Sequence, residues 1–172
     1  HLRCWSGNGP DATVGVNCSD QDAEDARRAA ETLDIPFYVF DFEKEYRQKV
    51  VEYMVDGYRR GITPNPDVMC NHEIKFGMFF KRAMAMGADY VATGHYVKRI
   101  ACNVNRVTSG KKKGAHESSG ATRYTLHAAR DANKDQSYFL WTLTQKQLQY
   151  CLFPLGDLIK KTDVRRLAKK YK

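Results

Sequence analysis

The sequence predicts an α/β domain, a parallel sheet with helices on its flanks. Two observations carry that prediction. Short apolar runs at residues 37–40 and 89–93 are separated by long amphipathic stretches that stop at glycines. A strand, helix, strand, helix rhythm of this kind implies parallel pairing through crossover helices. The loops that follow such strands lie at their carboxyl ends, where ligands gather in open sheets.

In chain order, residues 1–5 (His-Leu-Arg-Cys-Trp) read as the tail of a strand. Residues 6–13, with Gly7, Asn8, Gly9 and Pro10, read as a loop. Ser19 is placed to cap a helix with acidic residues in its first turn. That helix runs through Ala23, Ala26, Ala30 and Leu33 and ends at Ile35-Pro36. Phe37-Tyr-Val-Phe40 has strand composition. Tyr46, Val50, Met54 and Tyr58 recur every four residues and predict a helix over about residues 43–60, with Gly61 as its stop. Pro64 and Pro66 each lock their own φ and push the preceding residue toward extended backbone, so residues 63–67 form a stiff loop. From Asn71 onward, Ile74, Phe76, Met78, Phe79 and Ala83 predict a buried helix to about Met86, closed by Gly87. Asp89-Tyr-Val-Ala-Thr93 is the next strand, and Gly94-His95-Tyr96 sits at its carboxyl end.

Residues 97–106 extend as strand, and residues 109–120 read as a flexible basic insertion. Arg123-Tyr-Thr-Leu-His127 alternates as a strand does. A polar turn at residues 131–137 leads into Tyr138, Phe139 and Trp141, which are expected in the core rather than as a base-stacking platform. Thr144 and Gln147 match a capping box for a short helix to Tyr150, broken by Phe153-Pro-Leu-Gly156. The last helix starts near Thr162 and carries a basic face. No internal repeat is present.

Composition narrows the function classes. Hydrophobic residues make up 42% of the chain and charged residues 28%, as in a soluble globular protein and unlike a disordered one. No apolar run approaches the roughly 18 residues of a membrane span and no leader opens the chain, so the expectation is a soluble, cytoplasmic protein with no membrane partner. The formal charge is +8, and the excess is uneven: residues 19–56 lean acidic while 98–134 and 160–172 are basic. That asymmetry fits a face for a polyanion, nucleic acid first, or a solvated basic surface without a partner. The five cysteines, Cys4, Cys18, Cys70, Cys102 and Cys151, show no C-x-x-C and no paired Cys/His spacing, which argues for free thiols and no zinc site.

Three places carry candidate chemistry. Cys70 is expected at a helix N-terminus, whose partial positive charge favours a thiolate, with the Asp67 carboxylate three residues before it; the alternative is a small buried hydrophobe. His95 reads as a general acid, a phosphate contact, or a satisfied structural histidine. Lys134-Asp135-Gln136, opening a helix, reads as a phosphate site made of Lys134 and free backbone N–H groups, or as a solvated turn. Neither G-x-x-x-x-G-K-[ST] nor G-x-G-x-x-G occurs.

Taken together, these segments resemble the tRNA-specific 2-thiouridylases, the MnmA/TrmU family. The resemblance is carried by Cys18-Ser19, Glu24-Asp-Ala-Arg27, Ile35-Pro-Phe37, Thr63-Pro-Asn-Pro-Asp-Val-Met-Cys-Asn71, Ile74-Lys-Phe76, Gly87-Ala-Asp89, Ala92-Thr-Gly-His-Tyr96, Lys134-Asp-Gln-Ser-Tyr-Phe-Leu140 and Phe153-Pro-Leu-Gly156. It implies an adenine-nucleotide α-hydrolase-like fold of the PP-loop ATP pyrophosphatase kind, truncated at its first βα unit. It further implies adenylation of the wobble uridine C2 oxygen of tRNA by ATP with Mg2+, then sulfur transfer from a cysteine persulfide loaded by a sulfur-donor protein. By the same resemblance Cys70 is the nucleophile that later joins the persulfide cysteine in a disulfide bond, and Asp67 is an acid/base. Asn65, Pro66 and Asp67 face the target base, Gly94 contacts ATP, and His95, Lys134, Asp135 and Gln136 contact tRNA. Residues 1–130 would be a partial nucleotide-binding domain with a basic insertion at about 101–121. Residues 131–172 would be a helical segment leading toward a central, tRNA-binding domain. The family's S-G-G-V-D-S loop and its persulfide cysteine have no counterpart here, so residues 1–172 alone are expected not to complete the reaction. An RNA-binding module without catalysis and another PP-loop ATP pyrophosphatase are the alternatives.

Overall fold

Local signals for starting and stopping helices explain most of the architecture. The computed structural model describes residues 1–5, 18–104 and 121–171. These form two compact units, His1–Ala85 and Met86–Tyr171. Residue 130, where the sequence pointed to a boundary, falls inside the second.

In the first unit, strand β1 (Leu2–Arg3) pairs in parallel with β2 (Phe40–Asp41), Leu2 opposite Phe40 and Arg3 opposite Asp41. Helix α1 (Cys18–Thr32) lies between them in sequence, and an Arg3–Asp20 ion pair at 3.0 Å joins it to β1. The strand expected at residues 37–40 is shorter and displaced: the carbonyls of His1 and Arg3 accept from the Phe40 and Phe42 amides, and the His1 amino group donates to the Tyr38 carbonyl.

Helix α2 covers residues 43–59 and contains a wide π-helical stretch, Arg47–Val51. The predicted four-residue row is half right. Val50 is wholly buried, but a spacing of four overshoots the 3.6-residue turn, so Tyr58 rotates out to 57% exposure and Gly57 faces inward instead. Gly61, at φ 71°, takes the left-handed conformation that ends the helix.

Helix α3 covers residues 66–85, starting five residues earlier than the apolar pattern indicated. Pro66 holds the first helical position, where its missing N–H costs nothing, and Asn65 caps the end: its Oδ1 accepts from the Val68 N–H at 3.1 Å. Cys70–Phe79 is π-helical. A Cβ on Gly77 would lie 2.7 Å from the His72 carbonyl oxygen five residues back, so the wide turn admits glycine there. Ile74 and Phe76 are buried, and the Phe79 ring meets Phe40 edge-on at 5.3 Å. Lys49 on α2 pairs with Glu73 on α3, which also engages His72 Nδ1.

The second unit pairs β3 (Val91–Ala92) in parallel with β6 (Cys151–Leu152), a strand the sequence reading missed. Val91 and Cys151 sit opposite each other and both are buried. Strands β4 (Lys98–Val104) and β5 (Ala121–His127) form an antiparallel hairpin running from Lys98↔His127 to Val104↔Ala121. The basic stretch at 105–120, like the loop at 6–17, lies outside the described residues. The capping box is as expected: Thr144 Oγ1 accepts from the Gln147 amide and Gln147 Oε1 from the Thr144 amide, opening helix α4 (Gln145–Leu148). Arg99 closes the other end of α4, donating to the carbonyls of Leu148 at 2.7 Å and Gln149 at 3.2 Å. Helix α5 covers residues 160–170, with Lys161, Arg165, Arg166, Lys169 and Lys170 exposed.

One expectation fails in this unit. Tyr138 and Trp141 are not core: they are 59% and 75% exposed, while Leu140 is fully buried. Tyr138 stands on the outer side of a single 3-10 turn, Ser137–Phe139, and Trp141 in the turn that follows it. Among the described residues no helix is long and apolar enough to cross a membrane.

Candidate functional site

The site residues named from sequence fall into two sets, one in each unit, and each set is coherent by itself. In the first, the Asn65 cap and Pro66 fix the start of α3, so Asp67 stands exposed in the opening turn and Cys70 follows one turn later on the same face. Cys70 is therefore inside the helix and not at its N-terminus, and the expected thiolate does not follow. Burial pushes the Cys70 thiol up, Lys75 pulls it down, and the Asp67 carboxylate pushes it up again; the net shift is upward. The N–H groups of the first turn lie before Cys70, and two of them are taken: Val68 donates to Asn65 Oδ1 and Met69 to the Asn65 carbonyl.

Sequence reasoning missed the neighbours of this thiol. Cys4, at the end of β1, has its own thiol raised to about 11 by burial and by Cys70, against the opposing pull of Lys75. The Tyr46 hydroxyl is raised by burial, Cys70, Cys4 and Asp67 in that order. Asn71 is 3% exposed, and its Oδ1 has no partner among the described residues. Cys4 and Tyr46 lie far from residue 70 in sequence, and no local pattern links them. Cys4, Cys70, Cys102 and Cys151 are all free thiols.

The second set gathers around the end of β3. Thr93 makes the last ladder bond, its amide donating to the Leu152 carbonyl at 3.0 Å. Gly94 is exposed, and a Cβ there would meet only the Leu155 Cδ1 at 3.8 Å, so its backbone is open to close approach by a ligand. The His95 ring is buried, with Nδ1 and the Thr93 hydroxyl sharing a hydrogen bond at 2.9 Å. Tyr96 is bound twice to Gln136: its N–H donates to Gln136 Oε1 at 3.1 Å, and its carbonyl accepts from the Gln136 amide at 2.9 Å.

At Lys134-Asp135-Gln136, read from sequence as a phosphate site or a solvated turn, most of the backbone N–H groups are not free. Three of the backbone donors at residues 134–137 are already used: the Lys134 amide donates to the Asp131 carbonyl, the Gln136 amide to Tyr96, and the Ser137 amide to Asp135 Oδ1. No α-helix begins there, only the 3-10 turn. Asp135 also accepts from the Ala129 amide at 3.1 Å and the Ser137 hydroxyl at 3.0 Å. Lys134 alone of the triplet is exposed. Buried Asp131 holds this turn to α5, accepting from the Asn133 and Lys160 amides.

Parallel β pairs, crossover helices and an open glycine at a strand's carboxyl end define an α/β domain of the adenine-nucleotide α-hydrolase-like class. Within that class, the chain belongs to the tRNA methyl transferase HUP domain family, whose match runs over residues 1–172. Curated relatives agree. The tRNA-specific 2-thiouridylase MnmA of Flavobacterium johnsoniae is 49% identical over 148 residues, which is 86% of this chain and 34% of the relative. MnmA of Moorella thermoacetica is 45% identical over 154 residues, 90% of this chain and 38% of the relative. MnmA of Caldicellulosiruptor saccharolyticus is 42% identical over 173 residues, 99% of this chain and 43% of the relative. The chain thus spans between a third and a half of the length of these relatives.

Proposed function

We propose that this chain is part of a tRNA 2-thiouridylase. In the proposed reaction the wobble uridine C2 oxygen attacks the α-phosphate of ATP and pyrophosphate leaves. The outer sulfur of the persulfide then attacks C2 and AMP departs with the oxygen. Cys70 attacks the inner sulfur, its proton passing to a base, so that the S–S bond breaks, the outer sulfur stays on C2 and the two cysteines are left as a disulfide. The supporting observation is the pairing of Asp67 and Cys70 on one face of a helix whose start is pinned by Asn65 and Pro66. Asp67, one turn before Cys70 on the same helix face, is the proposed acid/base.

Asn65, Pro66 and Asp67 are the proposed base contacts. Gly94, whose Cβ side is open, is the proposed ATP contact; His95 and the triplet Lys134, Asp135 and Gln136 are the proposed tRNA contacts. The basic face of α5 suits phosphates. In this reading Mg2+ enters as the companion of the ATP phosphates. A persulfide-carrying donor protein and a cytoplasmic location belong to the same reading. Residues 1–172, which span between a third and a half of the length of the relatives, are proposed not to complete the reaction by themselves.

The test uses the full-length protein with ATP, tRNA and a persulfide donor, reading 2-thiouridine by mass spectrometry of digested tRNA. Cys70→Ser is expected to abolish thiolation and retain tRNA binding. Unchanged thiolation in that variant removes Cys70 from the mechanism. Tight tRNA binding without thiolation by the wild-type protein would instead favour an RNA-binding module.

A further inference from the structure

Between the end of β3 and the start of β4, no strand ladder holds the Gly94-His95-Tyr96 loop. It is held from residue 136. Gln136 and Tyr96 exchange two hydrogen bonds, amide to carbonyl at 2.9 Å and amide to side-chain Oε1 at 3.1 Å. This is the exchange two strand residues would make, with a side-chain oxygen standing in for one main-chain carbonyl. Tyr96 is 8% exposed, so its N–H has little access to water if that oxygen is lost. Gln136 is itself held in place by its neighbour, since Asp135 gathers the Ala129 amide, the Ser137 amide and the Ser137 hydroxyl into one turn. The triplet therefore divides its labour: Lys134 projects outward, while Asp135 and Gln136 turn inward.

We propose that Gln136 is a positioning residue that sets the backbone path of Gly94-His95-Tyr96, with Asp135 as its brace, so that the ATP and tRNA contacts of that loop both depend on a residue forty positions away. The proposal rests on the functional reading above for the ligands, and on the clasp alone for the loop.

Three variants of the full-length protein separate positioning from direct RNA contact. Gln136→Ala is expected to raise hydrogen exchange at the Tyr96 amide by about tenfold, as loss of one hydrogen bond of ordinary net strength does, and to weaken ATP and tRNA binding together. Gln136→Glu keeps an oxygen for the Tyr96 N–H and is expected to restore both the protection and the ATP affinity. Lys134→Ala is expected to weaken tRNA alone, with Tyr96 exchange unchanged. The proposal is overturned if Gln136→Ala leaves Tyr96 exchange at the wild-type rate, or if it weakens tRNA alone and Gln136→Glu does no better. Because exchange is measured without ligands, a wild-type protein that binds neither ATP nor tRNA overturns the functional reading, while Tyr96 protection still decides the clasp.

Discussion

The ring of Pro64 occupies the notch that Gly57 leaves on α2: a Cβ at residue 57 would stand 3.0 Å from Pro64 Cγ and 3.1 Å from Pro64 Cβ. Both residues are buried, and this contact seats the loop that delivers Asn65 into α3. Gly57→Ala sets two effects against each other. Alanine favours the helix by about 1 kcal/mol, whereas overpacking costs about 1–3 kcal/mol. A proline ring has no flexible end to move aside, so the expected outcome is a net loss of about 1 kcal/mol in denaturant unfolding, with faster alkylation of Cys70. A variant as stable as wild type, labelled at the wild-type rate, would show that Pro64 yields freely.

The Cys70 thiol is raised by burial first and by Asp67, with Lys75 opposing. Its alkylation by iodoacetamide at pH 7 is expected to be slower than that of exposed Cys102, accelerating only as pH climbs above the ordinary thiol value of 9.0. The unfolded chain loses this proton first. Stability from this group is therefore complete below pH 9.0 and declines as pH rises toward the higher folded value. Asp67→Asn should speed labelling and Lys75→Met slow it, each by less than about tenfold, the equivalent of one pKa unit. Site-resolved mass spectrometry reads all three rates, and equal labelling of Cys70 and Cys102 at pH 7 would contradict the burial argument.

For Asp135 the balance runs the other way. Burial pushes its carboxyl up, but hydrogen bonds from the Ala129, Ser137 and Gln136 amides and the Ser137 hydroxyl outweigh it, leaving the group below its ordinary 3.8. Stability from this carboxylate is present above pH 3.8 and is lost as pH falls through the lower folded value, because the unfolded chain takes up the proton first. Asp135→Ala leaves several donors without an acceptor and is expected to cost about 1–3 kcal/mol. It should also flatten the acid limb of the stability curve. An acid limb identical to wild type would remove Asp135 as its source.

Gly156 touches backbone, not a side chain. A Cβ there would fall 2.2 Å from the Val97 carbonyl oxygen and 2.8 Å from its carbon, with Val97 wholly buried. The Gly156 carbonyl also accepts from the Arg130 amide at 2.9 Å. Gly156→Ala is expected to destabilise by about 3 kcal/mol, since neither partner can swing aside. A shift of melting temperature of less than a degree would mean that the 153–156 turn repacks.

What was legible in the sequence was local. Gly61, and Gly87 at φ 92°, stop helices where the periodicity ends, and the Thr144–Gln147 capping box needs only four residues to be recognised. The start of α3 at Asn65 and Pro66 follows from the same kind of local signal, although Cys70 lies a turn further inside the helix than the apolar pattern indicated. Features that depend on long-range partners were not legible. The two-residue strand β6 exists because Val91 and Ala92 need an edge to pair with, and nothing in Cys151-Leu152 announces it. The inward turn of Gln136 depends on Tyr96, forty residues earlier. The direction of the Cys70 shift was misread because helix position can be inferred from prolines, whereas burial depends on what packs around the thiol.

The wide winding of α3 from Cys70 to Phe79 has a mechanical meaning. Each such turn holds about one residue more than an α turn, and one residue of α-helix amounts to about 100° of rotation and 1.5 Å of travel. If these residues rewound at the ordinary pitch, the sulfur would swing around the axis and slide along it relative to Ile74 and Phe76, which are buried. Pitch is thus the setting that aims the thiol. Gly77, with no side chain to collide with the His72 carbonyl, is the residue that lets the setting hold.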